Sequence, residues 1–309
     1  MSEEKIRSKT PMVPYPSGAI VPERDLGSIP VLECSHLGIE FGGLKAVDDF
    51  NVIMGKTEIA GLIGPNGAGK TTIFNLLTKV YQPTHGTMAL EGRDMGSMTT
   101  VDVNKAGIAR TFQNIRLFGN MSVEENVRIG LHNQIRCGMF SGILRLPKYW
   151  KTEKAQHEKA MELLNIFDMA DLADHRAGSL PYGAQRRLEI VRALATHPKL
   201  LLLDEPAAGM NPKETEELME NILRIRDRFQ IAVLLIEHDM NLVMGICEDI
   251  CVLNFGRIIA KGTPEDRQRN PAVIEAYLGK QKTTEETESK SSSGWKDMHE
   301  RKTTEEAKA

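Results

Sequence analysis

The sequence predicts an α/β fold, and three observations support that prediction. Between residues 30 and 279, short apolar runs alternate with helical patterns, which is typical of parallel strands connected by helices. A glycine-rich segment, Gly64–Thr72, follows one apolar run and precedes a helical pattern. A run of four leucines, Leu200–Leu203, is apolar throughout, as expected of a strand buried on both faces of a parallel sheet.

Seven apolar runs are predicted to be strands. They are Val31–Cys34, Glu58–Ile63, Gly86–Leu90, Ile108–Phe112, Leu200–Asp204, Ile231–Glu237 and Ile250–Asn254. Helices are predicted for Thr71–Val80 and for Glu153–Phe167, where apolar residues recur at helical spacing. Ser122 followed by Glu125 forms a capping box that opens another helix. Because helical patterns replace strand patterns between about residues 115 and 185, we expect a helical subdomain inserted into the α/β core.

The two ends of the chain differ from this core. Residues 1–29 contain four prolines and few large apolar groups, so we expect an extended or disordered arm. Residues 280–309 lack Leu, Ile, Val and Phe, and such a segment buries too little apolar surface to offset its ordering entropy. We therefore expect a disordered charged tail, with the folded domain extending from residue 30 to residue 279.

Composition excludes several classes of protein. The chain has 39 basic and 42 acidic residues, a net charge of −3, which argues against a protein that coats nucleic acid. No apolar run approaches the ~18 residues of a membrane span, and no apolar segment follows the basic N-terminus as in a secretory signal. The four cysteines show no metal-binding spacing, so we expect reduced thiols in a cytoplasmic protein.

The segment Gly64-Pro65-Asn66-Gly67-Ala68-Gly69-Lys70-Thr71-Thr72 has the pattern G-x-x-x-x-G-K-[ST] of a phosphate-binding loop. Its glycines let backbone N–H groups turn inward around a phosphate, and the following helix N-terminus adds a partial positive charge. Lys70 is predicted to neutralise the β- and γ-phosphates of a nucleotide, and the Thr71 hydroxyl to bind Mg²⁺. The alternative is an ordinary glycine-rich turn.

The apolar strand Leu200–Leu203 leads directly into Asp204 and Glu205. Carboxylates at this position lie at the carboxyl edge of a parallel sheet, where open α/β folds bind their ligands. Asp204 is predicted to hold Mg²⁺, directly or through water, and Glu205 to accept a proton from the attacking water. For this segment taken alone, the alternative is a pair of exposed loop acids.

In these motifs and in three others, the sequence resembles the nucleotide-binding subunit of an ATP-binding-cassette (ABC) transporter over about residues 31–279. Phe41 matches that family's aromatic residue that stacks on adenine. Gln113 matches the glutamine that touches the metal site and senses the membrane partner, and His238 matches the histidine that contacts the γ-phosphate. Taken singly, each has an alternative: a core aromatic, a solvated amide and a structural histidine.

The family's signature segment, LSGGQ in most members, corresponds here to Leu180-Pro181-Tyr182-Gly183-Ala184. In the family this segment caps ATP bound by the opposite subunit, so the resemblance places Tyr182 and Gly183 at that ATP. Pro181 offers neither a hydroxyl nor an N–H where the family has serine, and Ala184 replaces a polar glutamine. The ATP site that the two subunits form together is then either weaker, or dependent on backbone donors and on the dipole of a helix that begins near Ala184.

Asn211 is a second position at which the sequence departs from the family's pattern, because the family usually has the aspartate of its D-loop there. With Pro212 and Glu214, Asn211 also makes a good start for a helix that runs toward Arg226. The dimer contact and the helix cap are compatible roles for one side chain.

Six segments together are closely similar to the LivG-type ATPases of high-affinity branched-chain amino-acid importers, one branch of the ABC family. They are Phe41–Val47, Thr111–Phe118, Leu180–Gly183, Ala207–Pro212, Glu237–Met240 and Asn270–Gly279. A long basic-aromatic insert near Phe140–Trp150 agrees with this branch, as does a signature segment with Pro and Tyr. Ala184 is unusual even there.

The resemblance implies a P-loop NTPase (RecA-like) ABC core with an antiparallel β subdomain and an inserted helical subdomain, which binds ATP and Mg²⁺ and hydrolyses ATP. One phosphate loop and no apparent span imply further chains. These are a second ATPase subunit in a homo- or heterodimer, two membrane permease subunits and an extracytoplasmic solute-binding protein. The chain is then expected at the cytoplasmic face of the membrane, without a nucleic-acid partner.

Three alternatives stay open at this point. The first is the ATPase of a related urea or amide importer, or of a lipopolysaccharide exporter. The second is a soluble ABC protein of translation or DNA repair, which the single phosphate loop and the lack of sustained heptads disfavour. The third is a degenerate, binding-only subunit, although the chemically important residues are all present: Lys70, Thr71, Gln113, Asp204, Glu205 and His238.

Overall fold

The computed structural model describes residues 29–132 and 147–264 of the 309-residue chain. The described strands are β1 (Leu32–Phe41), β2 (Leu44–Met54), β3 (Ile59–Ile63), β4 (His85–Leu90), β5 (Arg93–Asp94), β6 (Ile108–Arg110), β7 (Leu200–Asp204), β8 (Ala232–Ile236), β9 (Asp249–Asn254) and β10 (Arg257–Gly262). The described helices are α1 (Lys70–Leu77), α2 (Thr100–Ala106), α3 (Val123–Leu131), α4 (Pro147–Ile166), α5 (Tyr182–Leu194), α6 (Pro212–Phe229) and α7 (Met240–Ile246).

A six-stranded sheet, in the order β10-β9-β3-β8-β7-β6, forms the centre of the fold. Neighbouring strands from β9 to β6 are parallel, and β10 is antiparallel to β9. Strands β3, β7 and β8 are buried at every residue, which explains why their sequences are apolar without alternation. The structure confirms the predicted α/β class.

The two faces of this sheet pack against different layers. Because successive side chains of a strand point to opposite faces, the leucines of β7 divide between two cores. Leu201 and Leu203 pack in one core with apolar residues of α3, α5, α6 and α7. Leu200 and Leu202 pack in the other with β1, β2 and α1. The parallel sheet is therefore the middle layer.

The second sheet is antiparallel, in the order β2-β1-β4-β5. It confirms the antiparallel β subdomain that the resemblance implies. The first strand was predicted to end at Cys34, but β1 continues to Phe41, and β2 was not predicted. Both errors have one cause, because His36 and Asp49 have left-handed backbones and the register shifts there. These bulges break the two-residue apolar period by which a strand is recognised.

Four further elements, β5, β10, α2 and α7, were not predicted. Strand β6 ends at Arg110, before the predicted Phe112, because the Phe112 N–H turns away to the Glu189 carboxylate, at 3.4 Å. Helix α1 ends at Leu77, before the predicted Val80, where the Thr78 hydroxyl donates to the Phe74 carbonyl at 2.7 Å. Helix α5 begins at Tyr182, two residues before the predicted start near Ala184.

Helices α3, α4 and α5 occupy the chain between β6 and β7, with two short 3-10 turns, Ala170–Leu172 and Ala177–Ser179, before α5. The predicted capping box at Ser122 and Glu125 is present at the start of α3. A second predicted cap, Asn211, accepts a hydrogen bond from the Glu214 N–H at 3.0 Å and begins α6.

Within residues 29–132 and 147–264, no helix is long and apolar enough to cross a membrane. In the same ranges, no cluster of His, Cys, Asp and Glu could hold a metal ion by itself. The predicted arm up to residue 28, the predicted tail 280–309 and residues 265–279 lie outside the described residues. So does the insert up to residue 146, whereas Trp150 in α4 is described and exposed.

Candidate nucleotide-binding and catalytic site

Four neighbouring parallel strands deliver most of the predicted site residues to one edge of the sheet. The loop Gly64–Thr72 follows β3, and the pair Asp204 and Glu205 ends and follows β7. His238 comes shortly after β8, and Gln113 comes shortly after β6. Because β3, β8, β7 and β6 are adjacent, their carboxyl ends bring residues from distant parts of the sequence together.

The loop between β3 and α1 depends on its glycines. Gly64 has a φ of 153°, and a Cβ there would lie 2.2 Å from the carbonyl oxygen of Leu253. Gly69, the residue before α1, has a φ of 103°, and a Cβ there would lie 2.8 Å from the carbonyl oxygen of Ala46. Larger residues at these two positions would push the loop away from β9 and β2. Asn66 and Gly67, at the loop tip, are exposed.

Lys70 begins α1 and folds back over the loop. Its Nζ donates to the carbonyl oxygens of Gly64, at 2.7 Å, and Pro65, at 3.0 Å. Burial lowers the pKa of the Lys70 ammonium, and the nearby carboxylates of Glu205 and Asp204 act in the opposite direction. The structure thus places the cation between the loop and the two acids that the sequence analysis singled out. The Thr71 side chain next to it is exposed and Thr72 is half-buried.

Glu205 lies between the two other predicted catalytic side chains. Its Oε2 accepts a hydrogen bond from Gln113 Nε2 at 2.9 Å, and its Oε1 lies 3.2 Å from His238 Nε2. The backbone of Glu205 is left-handed, with a φ of 48°, and its N–H donates to the Ile236 carbonyl of β8. The structure therefore brings Gln113, Glu205 and His238 into one cluster, although 125 positions separate the first from the last.

Asp204 is buried and paired with an arginine that the sequence analysis did not identify. Arg110 Nη2 lies 2.8 Å from Asp204 Oδ2, and Arg110 Nη1 donates to Asn75 Oδ1 at 2.7 Å. The guanidinium also lies over the Phe74 and Phe112 rings, 5.4 and 5.0 Å from their centroids. Arg110 sits at the end of β6, next to β7, and position at the sheet edge was the only sequence signal for it.

Glu237 is a second residue that the sequence analysis missed. It is buried, its Oε1 accepts the Ala207 N–H at 2.8 Å, and its Oε2 accepts the His238 and Asp239 N–H groups at 2.9 and 3.2 Å. Burial raises the pKa of the Glu237 carboxyl, while the three N–H donors oppose that shift. Glu237 therefore ties the segment after Glu205 to the segment that carries His238. The sequence signal that could have identified Glu237 is its position next to His238 at the end of a strand.

Phe41 is an exposed aromatic rather than a core residue. It ends β1, and its ring meets the Tyr81 ring at a centroid distance of 5.3 Å and an interplanar angle of 73°. The hairpin that Phe41 enters continues into β2, whose Ala46 carbonyl lies against Gly69 of the phosphate loop. Stacking of Phe41 on adenine stays a prediction.

Tyr182 and Gly183 form the first turn of α5 after Pro181. They contact the segment that follows Glu205: a Cβ on Gly209 would lie 3.1 Å from Tyr182 Cε1, and one on Gly183 would lie 2.7 Å from Glu214 Oε1. Tyr182 is nearly half exposed. The helix N-terminus here has no side-chain cap, so its first N–H groups are available to a ligand.

Comparison with known families gives two matches. The profile of the ABC transporter family matches residues 47–208. The profile described as branched-chain amino acid ATP-binding cassette transporter matches residues 257–283.

Individual relatives agree with these matches. The chain is 46% identical, over 82% of its length and 99% of the relative, to the high-affinity branched-chain amino acid transport ATP-binding protein LivG of Salmonella typhimurium. Identity is 45%, with the same coverage, to the corresponding protein BraF of Pseudomonas aeruginosa.

Solved structures give the same fold. A nucleotide-free ATP-binding cassette from an ABC transporter superposes with a TM-score of 0.71 at 30% identity, covering 81% of this chain and 100% of that one. The ADP conformation of an ATP-binding cassette of an ABC transporter also has a TM-score of 0.71 at 30% identity, over 82% of this chain and all of its own.

Proposed function

This chain belongs to the ABC transporter family as an ATP-binding subunit, and from that premise we propose that it powers an importer of branched-chain amino acids. The cluster of Gln113, Glu205 and His238 beside Lys70 supports hydrolysis rather than binding alone. The choice of solute rests on the relatives, which are named for branched-chain amino acid transport. The family match at residues 257–283 supports the same choice.

ATP binds along the loop Gly64–Thr72, where the N–H groups of the loop and of α1 face the phosphates. Lys70 exchanges its two carbonyl partners for phosphate oxygens, which are stronger acceptors because they are charged. The exposed Thr71 hydroxyl and the Asp204 carboxylate are oxygen donors of the kind that Mg²⁺ prefers, so the residues present fit this ion. When bound, Mg²⁺ neutralises phosphate charge and favours attack at the γ-phosphorus.

Glu205 is proposed as the general base. A carboxylate held between Gln113 and His238 can orient a water molecule and accept its proton at Oε1 or Oε2. His238 is proposed to contact the γ-phosphate, and Gln113 to touch the metal site. Phe41 is proposed to stack on adenine, which its exposure at the hairpin allows.

A second ATPase subunit completes the site. The first turn of α5, with Tyr182 and Gly183, caps ATP that the other subunit holds, and its unpaired N–H groups attract the γ-phosphate. Pro181 cannot supply a hydroxyl, so this contact relies on backbone donors. ATP then joins the two subunits, and a ligand at a hundred times its dissociation constant contributes about 2.7 kcal/mol to the closed state. Hydrolysis removes that contribution and the pair reopens.

The permease subunits are proposed to dock beside Gln113. The segment after Gln113 exposes Phe118, half of whose surface is accessible, and Arg192 of α5 lies 5.7 Å from the centroid of that ring. An exposed aromatic about five residues after Gln113 offers a partner a contact on the same segment. Two permease subunits, a solute-binding protein outside the membrane and attachment at the cytoplasmic face complete the proposed assembly.

Uptake measurements test the choice of solute. In cells from which only this gene is deleted, uptake of radiolabelled leucine, isoleucine and valine should fall, while urea uptake should not change. A plasmid copy of the intact gene should restore uptake, and a Lys70→Ala copy should not. Unchanged leucine uptake together with loss of urea uptake would contradict the proposal in favour of an amide importer.

A further inference from the structure

Arg186, in α5, is fully buried and has four acceptors. Its Nη2 donates to the Gln113 carbonyl at 2.8 Å and to the Glu205 carbonyl at 3.1 Å. Its Nη1 donates to Glu189 Oε2 at 3.0 Å and to the carbonyl oxygen of Phe112. One planar group therefore contacts the main chain on both sides of the Gln113–Glu205 hydrogen bond.

Glu189, almost one turn further along α5, holds the other half of the same segment. It is buried, and its Oε1 accepts the N–H groups of Phe112 and Arg116 at 3.4 and 3.3 Å. Arg186 donates hydrogen bonds to carbonyl groups of the segment after β6, and Glu189 accepts hydrogen bonds from N–H groups of the same segment. The two side chains together fix where that segment leaves the sheet.

A buried ion pair is a poor source of stability, because desolvation offsets most of its Coulomb energy. What this pair supplies is a fixed arrangement of the main-chain groups around it. Guanidinium donors point in fixed directions within one plane, so the positions of the Gln113 and Glu205 carbonyl oxygens are set relative to each other. Arg186 thus contacts the main chain of the same two residues whose side chains meet, at 2.9 Å between Gln113 Nε2 and Glu205 Oε2.

We propose that Arg186, with Glu189 as its counter-ion, is a positioning residue that sets the separation of Gln113 and Glu205 and ties both to the helix beginning at Tyr182. This proposal rests on the proposed role of Glu205 as the general base. It means that a shift of α5 against the sheet moves the base and the glutamine together. The helix end that caps the partner's ATP and the base that acts on this chain's own ATP are then mechanically linked.

Arg186→Lys tests the proposal. The substitution keeps the positive charge beside Glu189, but one ammonium group cannot reproduce the planar contacts to Gln113 and Glu205. We expect kcat for Mg-ATP to fall about tenfold while KM stays within about twofold, because misplacing a catalytic group affects the chemical step. Arg187→Lys is the matched control, since the neighbouring Arg187 pairs with Glu217 at the surface and should leave kcat unchanged.

A double variant separates positioning from a general effect on folding. If Arg186 acts through Glu205, adding Arg186→Lys to Glu205→Gln should lower the residual hydrolysis rate by less than about twofold. An additional tenfold loss in the double variant would overturn the proposal. So would a single Arg186→Lys variant with the kcat of the unchanged protein when Glu205→Gln has lost activity. A Glu205→Gln protein that hydrolyses ATP normally would instead overturn the proposed function.

Glu189→Gln provides a second variant if Arg186→Lys does not accumulate as folded protein. It keeps the shape of the side chain and removes the counter-ion. The same fall in kcat at constant KM is expected, measured below the melting temperature, which should itself fall because Arg186 is left as an unpaired buried charge. A folded Glu189→Gln variant with normal kcat would contradict the proposal.

Discussion

Asp204 and Glu205 are adjacent in sequence but lie in different surroundings. Asp204 is buried and its charge is paired with Arg110, whereas Glu205 turns through a left-handed backbone toward Gln113 and His238. Pairing one carboxylate with a cation reduces its repulsion of the other. The two acids can therefore lie side by side and serve different roles.

Lys70→Ala tests the contribution of a single residue to the phosphate loop. The substitution removes the buried cation that faces both acids, so ATP affinity should fall at least about tenfold, as expected for loss of a charge-assisted hydrogen bond. Isothermal titration with ATP measures it. Lys154→Ala, in an exposed part of α4, is the control and should bind ATP normally. Undiminished affinity in Lys70→Ala would contradict the assignment of the loop.

Local motifs explain which site residues could be predicted from the sequence. The phosphate loop, Asp204 and Glu205 lie in contiguous patterns whose chemistry is readable without a fold. Arg110, Arg186 and Glu237 act through contacts with segments far away in the chain, such as the 3.1 Å contact between Arg186 and the Glu205 carbonyl. An arginine in a helix can have many roles. The role of Arg186 becomes visible only when α5 is packed against the sheet edge.

At the scale of elements, helix caps were predictable and bulged strands were not. The boxes at Ser122 and Asn211 are local, because each cap bonds a residue three positions on. Strand β2 depends on its pairing with β1 across bulges at His36 and Asp49, which leave no regular period in the sequence. The existence of β2 therefore depends on its pairing with β1, and the local sequence pattern could not predict it.

Ser122→Ala tests the cap of α3. Removing the hydroxyl leaves the Glu125 N–H without its acceptor, so the free energy of unfolding should fall by about 1 kcal/mol. For a domain of this size, that corresponds to a melting temperature about 2–4 °C lower. Calorimetry measures it, and Ser122→Thr, which keeps the oxygen, should melt close to the unchanged protein. Equal melting of all three proteins would remove the cap as a source of stability.

The whole molecule is a three-layer structure whose middle sheet carries the site at one edge. Helices on one face, and the antiparallel sheet together with α1 on the other, bury β3, β7 and β8. Burial on both faces leaves the strand ends as the place where polar side chains can collect. The predicted fold class and the core strands follow from that burial pattern, whereas the antiparallel β subdomain was implied by the resemblance to ABC subunits.

Deleting residues 280–309 tests the predicted domain boundary. The segment lacks Leu, Ile, Val and Phe, so its removal should leave the melting temperature and the ATPase rate nearly unchanged. Thermal unfolding and phosphate release measure these two properties on the shortened and full chains. A large loss of either would show that the tail packs on the domain.

Glu205→Gln tests whether this chain hydrolyses ATP with Glu205 as the base. The substitution keeps the size of the side chain and the contact with Gln113 but removes the proton acceptor. Phosphate release from ATP should fall roughly 10²-fold while ATP affinity stays within about twofold. Hydrolysis at the normal rate in the folded variant would show that Glu205 is not the base.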